Sequence, residues 1–143
     1  MKRHQSLLLV SLLVLAGMAA GRPAAADPGG SVYIIGVFSR PGATSLREAI
    51  AYGQQQTVLD HSGTYLSVDV WIPTGAYTDD LRVSFRGLRM ASPTSVPVYE
   101  NGRCIGQIVT YVLGWNWDPE GACVVDVVAG WGTRRVLHNL WIR

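Results

Sequence analysis

Alternation of apolar and polar residues is the clearest pattern in the chain, and it predicts β-strands. Over residues 66–72 every second residue is aliphatic, from Leu66 to Ile72. Successive side chains of a strand point to opposite faces, so a period of two indicates a strand with one buried face. Residues 81–90 repeat the pattern but change parity after Gly87, which predicts a β-bulge at that glycine.

Further predicted strands are separated by Gly and Pro residues. The pair Asn101-Gly102 lies between two strand-like segments, so it predicts a tight β-hairpin in which Glu100 faces Arg103. The remaining predicted strands cover residues 31–38, 96–100, 103–113, 122–129 and 136–143. About seven short strands indicate an all-β domain, either a small β-sandwich or a barrel.

One short helix is expected to interrupt the strands. Ser45 and Glu48 have the spacing of a capping box, in which the serine caps the amide of the glutamate and the glutamate side chain reaches back. This motif predicts a helix from Leu46 to about Gln54.

The N-terminus has the layout of a secretory signal peptide. Lys2 and Arg3 precede an apolar run of about ten residues, which is half of what a membrane-spanning helix needs. Cleavage after Ala26 would remove residues 1–26 and leave residues 27–143 as a single small β domain; cleavage after Ala20 is the alternative. We therefore expect a secreted protein, extracellular or periplasmic, with no membrane span once the signal is cleaved.

Charge changes the picture of possible partners. The chain has a formal net charge of +2, but the mature domain would keep nine of its twelve basic residues, all arginines, and all ten acidic residues. Its net charge would be near −1. This balance lacks the basic excess expected of a nucleic-acid-binding domain, so we expect no nucleic-acid partner.

Two cysteines, Cys104 and Cys123, are an even pair in a chain expected to fold in an oxidising compartment. The pair predicts one disulfide that closes a loop of about twenty residues, with a stabilisation of about 3 kcal/mol.

The most unusual local composition lies between Gly114 and Gly121, where aromatic and polar residues alternate. Exposed indoles stack on sugar rings or anchor protein partners, and the polar residues between them can bind hydroxyl groups. The leading hypothesis is therefore a non-catalytic secreted module that binds an extracellular glycan or protein through this loop. The residues concerned are Trp115, Asn116, Trp117, Asp118 and Glu120.

A second hypothesis rests on a segment that is rich in proline. Prolines hold a loop in one extended conformation, which is what a rigid inhibitor offers to the cleft of a protease. The alternative function is therefore a secreted inhibitor of an extracellular hydrolase. Its inhibitory loop would consist of Pro93, Thr94, Ser95, Val96 and Pro97.

A small secreted hydrolase is the third hypothesis, and the histidines give it little support. His61 lies in the polar sequence Asp60-His61-Ser62, which predicts a turn because catalytic triads are assembled in space and not from neighbours. His138 shares a predicted strand face with apolar residues, so we expect it to be hydrogen-bonded and partly buried. No two histidines have metal-ligand spacing, and we expect no metal, no cofactor and no catalytic residues.

Three short segments resemble parts of known families. Residues 32–36, followed by Arg40-Pro41-Gly42 and by residues 46–51, resemble the start of the glycan-binding SLBB domain of polysaccharide export proteins. Residues 45–50, together with Gly63-Thr64-Tyr65, are similar to the opening of some secreted right-handed β-helix proteins, and residues 129–132 resemble a fragment of trypsin-like proteases. Each resemblance covers about twenty residues or fewer, so none assigns a family.

Overall fold

The described part of the chain forms two antiparallel β-sheets. The computed structural model describes residues 30–63, 65–76, 80–113, 120–128 and 132–143, with the backbone alone at Pro93. The strands are β1 (Tyr33–Ser39), β2 (Leu46–Ala49), β3 (Leu66–Pro73), β4 (Leu81–Phe85), β5 (Leu88–Arg89), β6 (Ala91–Glu100), β7 (Arg103–Leu113), β8 (Gly121–Val128) and β9 (Arg134–Ile142). Sheet A has the strand order β2-β1-β3-β7-β6, and sheet B has the order β5-β4-β8-β9. The predicted all-β class is confirmed, and two layers are compatible with the predicted sandwich.

The core lies between the two sheets. Val68 and Val70 of β3 are fully buried on the inner face of sheet A, and Val125 of β8 and Leu140 of β9 are fully buried on the inner face of sheet B. All four belong to one continuous apolar cluster. The alternation over residues 66–72 is therefore confirmed, because all four of its aliphatic positions are buried.

The hairpin at Asn101-Gly102 is confirmed. It joins β6 to β7 with Glu100 opposite Arg103, and both turn residues have the positive φ angles that this turn requires. The parity change after Gly87 has a different cause from the predicted bulge. Arg86 and Gly87 form a second two-residue turn with positive φ, and this turn joins β4 to β5.

The predicted helix from Leu46 to about Gln54 is wrong. Residues 46–49 form β2, which pairs with β1, and no helix occurs among the residues that the structure describes. None of those residues therefore belongs to a helix that could span a membrane. The carboxylate of Glu48 does not cap a helix, because it accepts hydrogen bonds from the amides of Val58 and Leu59 at 2.8 Å each.

A segment that we call the strap, residues 54–61, covers the outer edge of β9. Thr57 donates its amide to the carbonyl of Trp141 at 2.9 Å, and Trp141 donates to the carbonyl of Gln55 at 2.8 Å. The strap follows β2 of sheet A in the chain, with residues 50–53 between them, and it bonds to β9 of sheet B. It therefore closes one side of the space between the two sheets.

The predicted disulfide is also wrong, because both cysteines are free. Cys104 is exposed at the start of β7 in sheet A, opposite Tyr99 of β6. Cys123 is fully buried in β8 of sheet B, between Phe85 and Leu140. One thiol faces solvent while the other belongs to the core between the sheets, so the two sulfur atoms do not face each other.

Candidate functional site

The outer face of sheet B carries a group of charged residues from all four of its strands. In β4, Val83 and Phe85 are fully buried, so Arg82 and Ser84 point to the outer face. Arg82 lies directly opposite Asp126 of β8. Ser84 lies opposite Arg89 of β5, and Arg134 of β9 completes the set.

An ion pair holds the centre of this group. Arg134 donates from Nε to Asp126 Oδ2 at 2.8 Å and from Nη2 to the same oxygen at 2.5 Å. The residue Asp126 is only 2% exposed, although it lies on the outer face of its sheet. The arginine side chain is therefore fixed by the buried carboxylate.

A cavity of about 230 Å³, which we call the arginine cavity, opens among these side chains. Its lining residues are Arg82, Ser84, Gly87, Arg89, Asp126 and Arg134. Among the described residues the lining includes three arginines and one carboxylate residue, and that carboxylate is bound by Arg134. In residues 30–143, as far as the structure describes them, no carboxylate forms a salt bridge with Arg82 or Arg89.

Such an arrangement can bind an anion. A guanidinium presents several N–H donors in a plane, which matches the oxygens of carboxylate, sulfate or phosphate groups. Arg82 and Arg89 lie on neighbouring strands of a paired hairpin, so their backbones hold them in place before a ligand arrives. Like charges that converge on one cavity repel each other, and an anion between them relieves that repulsion.

A second cluster brings together a serine, a histidine and a glutamate. The Ser39 hydroxyl lies 3.0 Å from Nδ1 of His61, and Nε2 of His61 lies 3.2 Å from Oε2 of Glu48. This clustering in space corrects the expectation that His61 belongs to a polar turn. His61 is fully buried at the end of the strap, and its amide donates to the carbonyl of Arg143.

This cluster holds the strap against β1 and β2, and its burial does not fit a reaction centre. Ser39 and His61 are 0% exposed, so no substrate carbonyl can reach the hydroxyl. The cluster instead joins β1 and β2 to the strap, and Glu48 also accepts a hydrogen bond from Nε2 of Gln54 at 3.0 Å. Burial alone would raise the pKa of Glu48, but the hydrogen bonds from Val58, Leu59, Gln54 and His61 outweigh it and lower the pKa below its ordinary value.

His138 links the two sheets on the same side of the sandwich. Its Nδ1 accepts a hydrogen bond from the amide of Ile34 at 2.9 Å, so the neutral ring carries its proton on Nε2, which lies 3.3 Å from the carbonyl of Gln54. Burial lowers the pKa of His138, and the hydrogen bond to Gln54 opposes this only in part. The expectation of a partly buried, hydrogen-bonded histidine is confirmed.

The predicted aromatic loop falls mostly outside the described residues. Trp115, Asn116, Trp117 and Asp118 belong to residues 114–119, which the structure does not describe. Glu120 is described, and it is exposed immediately before β8. The binding role of this loop stays a prediction.

The predicted inhibitory loop is a strand in the structure. Thr94, Ser95, Val96 and Pro97 belong to β6, as does the backbone of Pro93, and they pair with residues 107–110 of β7. β6 is an edge strand of sheet A. Proline lacks an amide proton, and its presence in an edge strand limits pairing with other chains.

The sequence pattern alone brings together two residues of the arginine cavity but not the others. Arg82 and Ser84 alternate with buried residues of one strand, which places them together on its polar face. Asp126 and Arg134 join them only through the pairing of β4 with β8 and of β8 with β9. Periodicity carries no information about which strands become neighbours.

Comparison with known proteins identified no relative. No family model matches the chain, and neither a curated protein nor a solved structure matches it significantly. Among the described residues no group of three or more His, Cys, Asp or Glu side chains could hold a metal ion. The function must therefore be argued from the geometry alone.

Proposed function

We propose that the chain is a non-catalytic recognition module that binds an anionic ligand in the arginine cavity. The observation that carries this proposal is the convergence of Arg82, Arg89 and Arg134 on one cavity, whose described lining residues include one carboxylate, already paired with Arg134. The predicted signal peptide would place the domain outside the cytosol, where acidic polysaccharides and acidic protein surfaces are available as ligands.

The three arginines have different roles in this proposal. Arg134 is bound to Asp126, whereas no salt bridge to a described residue engages Arg82 or Arg89, so the guanidinium groups of these two supply the donors for the ligand. A charge-assisted hydrogen bond to an anion contributes about 1.5–3 kcal/mol. Two such contacts give a specific but reversible complex, which suits recognition of a repeating acidic surface.

The aromatic loop remains a predicted second binding site for the ligand. The inhibitor hypothesis also remains a prediction, and no feature of the described residues favours it. For a hydrolase, the Ser39, His61 and Glu48 cluster offers no support because it is enclosed.

Calorimetric titration with acidic oligosaccharides at low ionic strength tests the proposal. Arg82→Gln and Arg89→Gln should each weaken binding about tenfold, and added salt should weaken wild-type binding because these charges are exposed. Arg103→Gln is the matched control, since Arg103 is an exposed arginine at the start of β7 in sheet A. Equal affinities for the wild type and both cavity variants, or no binding to any acidic ligand, would contradict the proposal.

A further inference from the structure

Among the residues that the structure describes, none donates a hydrogen bond to one of the two carboxylate oxygens of Asp126. Both bonds from Arg134 end on Oδ2. In the described part of the chain, no protein group donates a hydrogen bond to Oδ1, although Asp126 is only 2% exposed. Buried polar atoms of native proteins almost always have a partner in the protein, in water or in a ligand. Asp126 lines the arginine cavity, so the donor to this oxygen comes from water or from a ligand in that cavity.

The cavity thus offers two opposite kinds of contact side by side. Arg82 and Arg89 offer donors for an anionic group, and Oδ1 of Asp126 offers an acceptor. Arg82 and Asp126 are directly opposed across β4 and β8, and opposed side chains begin about 5 Å apart. A fitting ligand therefore carries an acidic group and a hydrogen-bond donor a few ångströms apart.

We propose that the ligand is an acidic sugar residue, whose carboxylate or sulfate pairs with Arg82 and Arg89 while a hydroxyl group donates to Oδ1 of Asp126. This inference rests on the proposed function and deepens it. A rigid sugar ring holds a hydroxyl next to its acidic group, whereas a simple carboxylate or sulfate ion has no donor and is repelled by the carboxylate of Asp126. Acidic peptides separate their amide donors from their carboxylates by flexible side chains, so ordering them costs more entropy.

The test compares ligands of equal charge that differ in hydroxyl groups. The probes are an oligogalacturonate and an acrylic acid oligomer with the same number of carboxylates, and a sulfated galactan oligomer with a matched poly(vinyl sulfate). The wild type should bind at least one acidic oligosaccharide about tenfold more tightly than its hydroxyl-free partner. An oligoglutamate is included as the peptide ligand.

Asp126→Asn isolates the contribution of the oxygen. Arg134 should keep its hydrogen bonds by donating to the oxygen of the new amide. The NH₂ group then takes the place of Oδ1 and presents a donor where the sugar hydroxyl needs an acceptor. The preference for the oligosaccharide should fall to less than about twofold, while the hydroxyl-free oligomer binds at least as well as before. Asp69→Asn is the control, because Asp69 is bound by Arg47 and Thr110 on sheet A.

Each outcome supports or overturns the inference. A tenfold preference in either matched pair, lost in Asp126→Asn and kept in Asp69→Asn, supports it. Three results would overturn the inference and leave the anion site intact. The wild type could bind both members of each pair equally, it could bind oligoglutamate more tightly than the acidic oligosaccharides, or the preference could survive in Asp126→Asn. If no acidic probe binds, the proposed function fails as well. Should Asp126→Asn not fold, the wild-type comparison decides alone.

Discussion

Glu48 of β2 and His61 of the strap meet inside the protein, with 3.2 Å between Oε2 and Nε2. The contact joins sheet A to the segment that bonds along β9 of sheet B. The strap bonds to β9 at Trp141, and the first residue of the same strand is Arg134 of the arginine cavity.

Glu48→Gln should destabilise the fold by about 2 kcal/mol. The amide NH₂ of glutamine would replace a carboxylate oxygen that accepts hydrogen bonds, which leaves a buried donor without an acceptor. Urea unfolding followed by tryptophan fluorescence measures the change. Glu100→Gln, at the exposed end of β6, should change stability by less than about 0.5 kcal/mol. Equal effects of the two substitutions would show that Glu48 does not organise the strap.

Stability should decrease as the pH falls below about 6.5, because of His138. Burial lowers the folded-state pKa of His138, so the unfolded chain binds a proton first and acid favours unfolding. The lowered pKa of Glu48 also makes acid destabilising. The stabilisation from Glu48 is fully present above about pH 4.5, the ordinary pKa of glutamate, and it is lost as the pH falls through the lower pKa of the folded state.

The His138→Asn variant separates these two contributions. Its side-chain oxygen can still accept the Ile34 amide but does not titrate, so the loss of stability between pH 7 and 5.5 should become smaller. Urea midpoints at a series of pH values measure this. A wild-type midpoint that does not change over that range would contradict the role of His138.

Iodoacetamide should label one cysteine thiol in the native protein and both thiols after unfolding. Burial raises the pKa of Cys123 to about 12, and its side chain is enclosed, so neither thiolate nor reagent is available there. Cys104 is exposed. Mass spectrometry after iodoacetamide treatment counts the labels, and Cys104→Ser should remove the native one. A native product without free thiols would contradict the structure.

Gly106→Ala should destabilise the protein by about 1–3 kcal/mol. An added Cβ would lie 2.5 Å from the carbonyl oxygen of Ile72 and 2.5 Å from Cη2 of Trp71, whose indole packs over this glycine. Gly36→Ala is the matched control in β1, where the nearest atom would be 3.5 Å away. Thermal unfolding of the two variants should differ clearly, and similar melting temperatures would refute this packing.

Local patterns predicted the strands well and the long-range contacts poorly. The buried face of β3 and the Asn101-Gly102 hairpin follow from residues that are neighbours in sequence. The capping-box motif at Ser45 failed because pairing with β1 and the bonds from the strap to Glu48 outweigh a local helix preference. His61 looked like part of a polar turn because its partners, Ser39 and Glu48, are 22 and 13 residues away.

The central claim is that Arg82 and Arg89 bind the anionic group of a ligand, and their side-chain Nε–H signals in ¹⁵N-edited NMR spectra report on it most directly. On titration with an acidic oligosaccharide, both signals should shift with the same saturation curve, while the signal of Arg103 stays in place. Shifts confined to arginines of sheet A, such as Arg47, would contradict the account.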